Sequence, residues 1–214
     1  MKKFLLALGS LVLAHVANAQ ILDFDFMPPY KLGVTAGLNA PSFSAEHFGR
    51  NFGWHAGADL MIDGSDLLDD TYFRAQLKYT AKGATGKNQG YKVTKDEYKA
   101  CDVYYTIHYI ELPVHYGYSW RLDSDWSVLA ETGPYVAFGL GGLERLEGTS
   151  LSDSSPFFKD NHASRFDYGW GLQAGLLFDQ TILLNLSYDH GFNNLTSRFL
   201  QNRNISLGVT YFIE

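Results

Sequence analysis

Between Phe166 and Leu176 the chain alternates without a break. Phe166, Tyr168, Trp170, Leu172, Ala174 and Leu176 share one parity, and Asp167, Gly169, Gly171, Gln173 and Gly175 share the other. A period of two belongs to an extended strand, whose successive side chains leave to opposite faces; a helix would scatter the two classes around its circumference. The same pattern recurs elsewhere. Leu32, Val34, Ala36 and Leu38 alternate with Gly33, Thr35, Gly37 and Asn39. Trp54, Ala56, Ala58, Leu60 and Ile62 oppose His55, Gly57 and Asp59. Phe73, Ala75, Leu77 and Tyr79 oppose Arg74, Gln76 and Lys78. Three long polar side chains on one face of an otherwise apolar strand would be costly in lipid but fit a polar lumen.

Four more segments complete the set. Cys101 to Tyr116 places Ile110, Leu112, Val114 and Tyr116 against Glu111 and His115, and Asp125 to Gly141 places Trp126, Val128, Ala130 and Thr132 against Glu131 and Gly133. Pro113 and Pro134 each lack a ladder donor, so the register of these two strands stays open at this stage. Ile182 to Asp189 and Ile205 to Tyr211 alternate cleanly. The connections alternate in length. Ala40–Asn51, Ala81–Ala100, Gly142–Asn161 and Asn193–Arg203 are long and polar, whereas Gly117–Ser124 and Asp179–Gln180 are short. Long outer loops and short periplasmic turns are the pattern of a bacterial outer-membrane barrel. The expectation is an all-β fold, an eight-stranded antiparallel transmembrane up-and-down barrel in the outer membrane, with both termini in the periplasm.

The N-terminus agrees with export. Lys2 and Lys3 precede an apolar stretch from Phe4 to Val16, and Ala17-Asn18-Ala19 follows. Positive charge, apolar core and small residues at the cleavage site are the three parts of a secretory signal. Residues 1–19 read as a signal peptide and 20–214 as one outer-membrane domain. No later run approaches the roughly eighteen apolar residues of a transmembrane helix. The chain is rich in Tyr (14), Phe (15) and Gly (21), with only 19% charged residues, as suits a barrel wall. Its net charge of −6 argues against a nucleic-acid partner, which would call for a basic stripe. Cys101 is the only cysteine, which excludes an internal disulfide and a multi-thiolate zinc site.

Several short pieces, in order, resemble the outer-membrane β-barrel domain family common in Bacteroidetes, which includes the PorT-like proteins. They are Tyr109-Ile110-Glu111-Leu112-Pro113-Val114, then Glu131-Thr132-Gly133-Pro134-Tyr135, then Phe166-Asp167-Tyr168-Gly169 with Gly171 and Gly175, and finally Tyr188-Asp189-His190-Gly191-Phe192-Asn193-Asn194. The resemblance implies a small outer-membrane barrel, usually without an assigned activity, and in some relatives an accessory to protein secretion to the cell surface. Its implied partners are outer-membrane lipids, the barrel-assembly machinery, and periplasmic or secretion-system proteins. The chain departs from the family at His115 and at its ending, Tyr211-Phe212-Ile213-Glu214, which does not finish on an aromatic.

Inside such a barrel the inward charges must be paired or solvated. Asp59, Arg74, Lys78, Glu111, Glu131, Asp167 and Gln173 are the expected lumen polar network. No catalytic residue, cofactor or metal ligand is indicated: no serine-nucleophile motif accompanies the histidines, and His108 and His115 fall on opposite strand faces. Gly86-Lys87 lacks the Ser or Thr of a phosphate-binding loop, so Lys82 to Gly90 reads as a solvated loop. Three alternatives compete with a non-enzymatic structural or export-accessory barrel. They are a small channel or ligand transporter, a lipid-modifying enzyme, and a soluble ligand-binding barrel with the apolar row turned inward. Intact mass or N-terminal sequencing of membrane-extracted protein should show a mature chain beginning at Gln20; a chain retaining Phe4 to Val16 would refute the signal.

Overall fold

The computed structural model describes residues 29–45, 48–92, 98–147, 154–160, 163–195 and 200–213; the signal segment lies outside them. Ten strands form a ring-like sheet. They are β1 (Tyr30–Phe43), β2 (Phe48–Gly49), β3 (Gly53–Asp63), β4 (Thr71–Lys92), β5 (Tyr98–Arg121), β6 (Trp126–Glu147), β7 (Ser154–Pro156), β8 (Phe166–Phe178), β9 (Ile182–Gly191) and β10 (Asn202–Ile213). A one-turn helix α1 (Phe157–Asp160) follows β7. All pairings are antiparallel. They run from β1 through β3, β4, β5, β6, β8, β9 and β10, and β10 pairs again with β1. Among the described residues no helix is long and apolar enough to cross a membrane.

The expectation of an eight-stranded up-and-down barrel is therefore overturned: the sheet has ten strands. The two additional ones follow from strand length. β4, β5 and β6 run for 22, 24 and 22 residues, whereas β3 and β8 have 11 and 13. Beyond β3 and β8, the edges of β4 and β6 would present unpaired N–H and C=O groups. β2 pairs with Thr85 and Gly86 of β4, and β7 pairs with Leu143, Glu144 and Arg145 of β6, covering those edges. Strands of two and three residues carry no readable alternation. The stretch from Ala81 to Ala100, expected as a solvated loop, is mostly the β4–β5 ladder, and Gly142 to Glu147 belongs to β6.

The two prolines interrupt pairing without shifting it. Ala75 pairs with Val114 and Lys78 with Glu111, so the β4–β5 register is the same on both sides of Pro113. Pro113 pairs with Tyr135 and Tyr116 with Thr132, so the β5–β6 register is likewise kept across Pro134. The register shifts elsewhere: at Leu140, which is skipped between the His108–Gly141 and Tyr109–Gly139 pairs as a bulge, and in the β4–β5 ladder between Gly86 and Gln89. At the other end Asp179 and Gln180, in the three-residue connection between Phe178 and Ile182, both have positive φ (48° and 56°). That is the handedness a tight hairpin between right-twisted strands favours.

The apolar row faces outward and the polar row inward. Val34, Leu77, Leu112, Leu172, Leu186 and Leu207 are exposed, while Thr35, Gln76, Glu111, Gln173, Ser187 and Ser206 are buried. In water this would leave an apolar surface around the whole ring, far beyond the patches soluble proteins tolerate. In a bilayer it is the expected arrangement. A soluble barrel with an apolar interior is ruled out by the same orientation. Leu172 is 56% exposed on the wall and its neighbour Gln173 is 8% exposed inside, beside Glu131 and Ser187 in register. Leu172→Arg should weaken folding into lipid vesicles by roughly 2–4 kcal/mol if that position lies near the midplane. Gln173→Arg, placed next to a carboxylate, should cost less in the same titration; the reverse order would invalidate the orientation.

Candidate functional site

The ring's interior is layered. At the end carrying the short turns, Met61, Tyr72, Leu129, Leu177, Leu183 and Phe212 form an apolar cluster. At the opposite, loop-bearing end, a larger cluster includes Phe43, Val103, Tyr105, Ile107, Leu146, Phe157, Leu195 and Leu200. Phe43, Tyr105 and Phe157 are in ring contact there, with centroids 5.5 and 5.6 Å apart. Phe157, in the segment expected to be a solvent-exposed loop, is 1% exposed and inserts into this cluster. Between the two clusters lies a column of buried polar groups.

Two ionic centres organise the column. In the first, the Arg74 guanidinium on β4 donates from Nε to Asp59 Oδ1 at 2.9 Å and from Nη2 to Asp59 Oδ2 at 2.5 Å. Its Nη1 reaches Glu131 Oε1 at 3.2 Å, and Nη2 also donates to Thr210 Oγ1 at 3.0 Å. Gln76 Nε2 donates to Asp59 Oδ2 at 2.7 Å, and His115 Nδ1 lies 3.2 Å from Glu131 Oε1. One cation thus joins β3, β4, β6 and β10 across the lumen. In the second centre, Glu111 on β5 is paired with Lys78, 3.3 Å away, and with Lys82. The Lys82 ammonium also lies 4.8 Å from the Tyr135 ring centroid. Nearby, Asp167 Oδ2 accepts from Asn202 Nδ2 at 2.8 Å and from the Tyr135 hydroxyl at 3.3 Å, and Asn204 Nδ2 donates to Asp189 Oδ2 at 3.3 Å.

Of the residues anticipated from sequence, Asp59, Arg74 and Glu131 meet in the first centre, and Lys78 and Glu111 meet in the second. Asp167 sits apart from both, held by Asn202 and Tyr135. Gln173 lies inward, opposite Glu131 in the ladder. Sequence reasoning missed Lys82, which was assigned to a loop. The signal was present: Arg74, Gln76, Lys78, Thr80 and Lys82 share one parity. Tyr135 and Asn202 were also missed, and Asp189 and His115 were placed inward without being joined to the network. Gly171 lets these two side chains approach, since a Cβ at that position would fall 2.8 Å from His115 Nε2 and 3.0 Å from Asp189 Oδ1. Among the described residues no group of three or more His, Cys, Asp and Glu is arranged to hold a metal ion. A recess of about 610 Å³ is lined chiefly by wall residues; it lies where Ala130 and Ala174 pair between the larger Tyr118 and Leu186.

The outer-membrane protein beta-barrel domain model matches residues 18–197 of the sequence. The chain belongs to that family. Its location is the outer membrane, in agreement with the outward apolar wall. The match is to the general family and not to the PorT-like group in particular. No functionally curated protein matches the sequence. Among solved structures, the chain is similar to Ail, the attachment invasion locus protein of Yersinia pestis, at 13% identity, covering 86% of this chain and 99% of that one with a TM-score of 0.44. It is also similar to Neisserial surface protein A at 12% identity, 84% and 96% coverage and a TM-score of 0.44. The N-terminal barrel domain of Pseudomonas aeruginosa OprF follows at 10% identity, 85% and 97% coverage and a TM-score of 0.34. Likenesses this distant carry nothing about role.

The interior pairing can be tested at Arg74. Arg74→Leu removes the cation while Asp59 and Glu131 stay buried, and loss of one partner of a buried pair costs about 3–5 kcal/mol. Urea titration of the vesicle-folded protein should show a loss of that order. Adding Asp59→Leu to Arg74→Leu should recover part of it, because an apolar replacement of a buried pair is often near neutral. A double variant no more stable than the single one would show that the pairing is not what Arg74 contributes.

Proposed function

We propose that this outer-membrane protein is a non-enzymatic, non-conducting scaffold that presents its loop-bearing end at the cell surface. The observation that carries the reading is the filled interior. A polar column held by Arg74 and Glu111 sits between two apolar clusters, and a ring with this many long strands has only room for its own side chains. Ions would have to break buried pairs and pass Phe43, Tyr105 and Phe157.

The loop-bearing end supplies the second support. About 9–11 residues suffice for a tilted strand to cross a bilayer. The 22 to 24 residues of β4, β5 and β6 leave roughly ten each beyond the wall, a projection of about 30 Å at ~3.3 Å per residue. Long connections mark the outer side and short turns the periplasmic side. The outer end is then a stiff three-stranded extension, edged by β2 and β7 and based on a packed aromatic cluster. Such a surface suits binding of partners in surface assembly or export, in keeping with the resemblance to PorT-like proteins. Purified protein in planar bilayers should give no single-channel steps. Regular steps, abolished by filling the lumen further, would replace this reading with that of a small channel.

A further inference from the structure

On the outward face of β8, β9 and β10 basic side chains stand at one place only. Every other outward position on these strands is apolar or aromatic; at the loop-bearing end His190 continues the row of Leu186 and Tyr188, and Arg203 continues the row of Leu207 and Ile205. The two are direct cross-strand partners, and Trp170 pairs with His190 on its other side. Side chains opposed in this way start from Cβ atoms about 5 Å apart. Arg203 is exposed, and among the described residues its guanidinium has no ion-pair or hydrogen-bond partner. Asp189 and Asn204, the adjacent pair in the ladder, point inward. A third cation comes from the connection before β3: Arg50 Nη1 donates to the Ala40 carbonyl at 2.6 Å, and Ala40 is the cross-strand partner of Ile205.

An arginine on the lipid face is costly at mid-depth and nearly free at the interface. Arg203 stands ten residues from Ile213, about 33 Å along the strand, which at the usual tilt spans an apolar band roughly 25 Å tall. Aromatic rings mark both boundaries: Trp126 and Phe178, 4.7 Å apart, at the short-turn end, and Tyr168, Tyr188 and Phe192 around His190 at the other. Arg203 and His190 are thus at headgroup level. Directly below them the wall is recessed. The hollow of about 610 Å³ is lined by Ile205 and Tyr188, the next outward residues after Arg203 and His190, and by Leu172, the next after Trp170. It continues to Thr132 and Tyr116, and these five residues are level across adjacent strands. Four strand spacings of ~4.8 Å give it a length of roughly 19 Å.

We propose that Arg203 and His190, with Arg50, hold the phosphate of a phosphorylated membrane lipid, and that the recess below them takes one of its acyl chains. A guanidinium offers parallel donors that match phosphate oxygens, and Arg203 has all of its own to give. His190 meets the Tyr188 hydroxyl through Nδ1, 3.3 Å away, which leaves Nε2 for the headgroup. Cations at the mouth of a long apolar trough complement a lipid with an anionic head, and neither a free anion nor an uncharged lipid would use both parts. The site does not depend on whether the lumen conducts or the outer extension binds partners. Micelles have no sides, so the orientation of the chain in the membrane does not enter the test.

Native mass spectrometry of the full chain folded in detergent micelles counts retained lipid directly. Dipalmitoyl phosphatidic acid should be retained, one per chain, at concentrations where dipalmitoylglycerol, with the same chains and no phosphate, is not. Arg203→Gln should weaken retention about tenfold, the loss expected of one charge-assisted hydrogen bond, and Arg203→Lys should keep part of it. Arg145→Gln, which removes an exposed charge from the outer extension, should change nothing. Ala174→Phe, which narrows the recess from the wall side, should weaken retention without touching the cations. Inorganic phosphate should not displace the lipid. Arg203 and Ala174 both face outward, and heat-modifiable gel mobility checks that each variant stays folded. Equal retention of the two lipids, full retention in Arg203→Gln or in Ala174→Phe, or displacement by inorganic phosphate would each overturn the proposal.

Discussion

A charged group removed from water must be given its counter-charge by the protein, and this requirement shapes the interior of the ring. Arg74 meets it with Asp59 from the neighbouring strand and Glu131 from across the lumen. Its reach fixes the relative position of strands that share no ladder: β4 carries the guanidinium, β6 one of its carboxylates and β10 the Thr210 hydroxyl. Backbone pairing sets the order of strands around the ring; the ionic centres brace it from within. The long side chains are needed because the centre of the lumen is wider than a peptide-to-peptide contact can bridge.

The same requirement explains why the interior is layered. Ionic groups gain from pairing where water is excluded, and the two apolar clusters exclude it from both ends. Each cluster in turn needs the polar column, since a lumen filled wholly with apolar side chains would erase the difference between inside and outside on which insertion depends. Strand alternation would then no longer tell the wall from the core. The distribution of side chains is thus the inverse of a soluble barrel's at mid-height, and ordinary at its two ends.

How much of this was legible follows the range over which each signal is carried. The eight long strands and their facing come from alternation between adjacent residues, and Phe166 to Leu176 shows it completely. The short strands β2 and β7 exist because a distant edge is open, which no local pattern records. Pro113 and Pro134 mark where ladder bonds lapse, but the register shifts sit at Leu140, between glycines that signal nothing specific, and between Gly86 and Gln89. Within the column, the residues with charges stood out on the inward parity. Their pairing did not, because the stagger of strands around a ring decides which residues come level. Lys82 was lost for a different reason: the Gly- and Lys-rich composition of Lys82 to Gly90 resembles a loop, although its alternation continues that of Arg74 to Thr80.

The proposed scaffold reading rests on how the lumen is filled. With the interior committed to holding the strands together, and the wall committed to lipid, the surfaces left to meet partners are the two ends. The opposite end consists of short connections, of which Asp179–Thr181 has only three residues, and offers little area. The outer end carries the surplus length of β4, β5 and β6, and that length is organised: β2 and β7 close its edges, Phe157 anchors the returning segment, and Arg165 donates to the carbonyls of Gly139 and Leu140 while lying 4.6 Å over the Phe158 ring. Ordering a backbone costs conformational entropy of about 1–2 kcal/mol per residue. An extension held in ladders past the ends of β3 and β8 is therefore a substantial commitment. On the proposed reading, that extension, and not the lumen, is the part that meets other molecules.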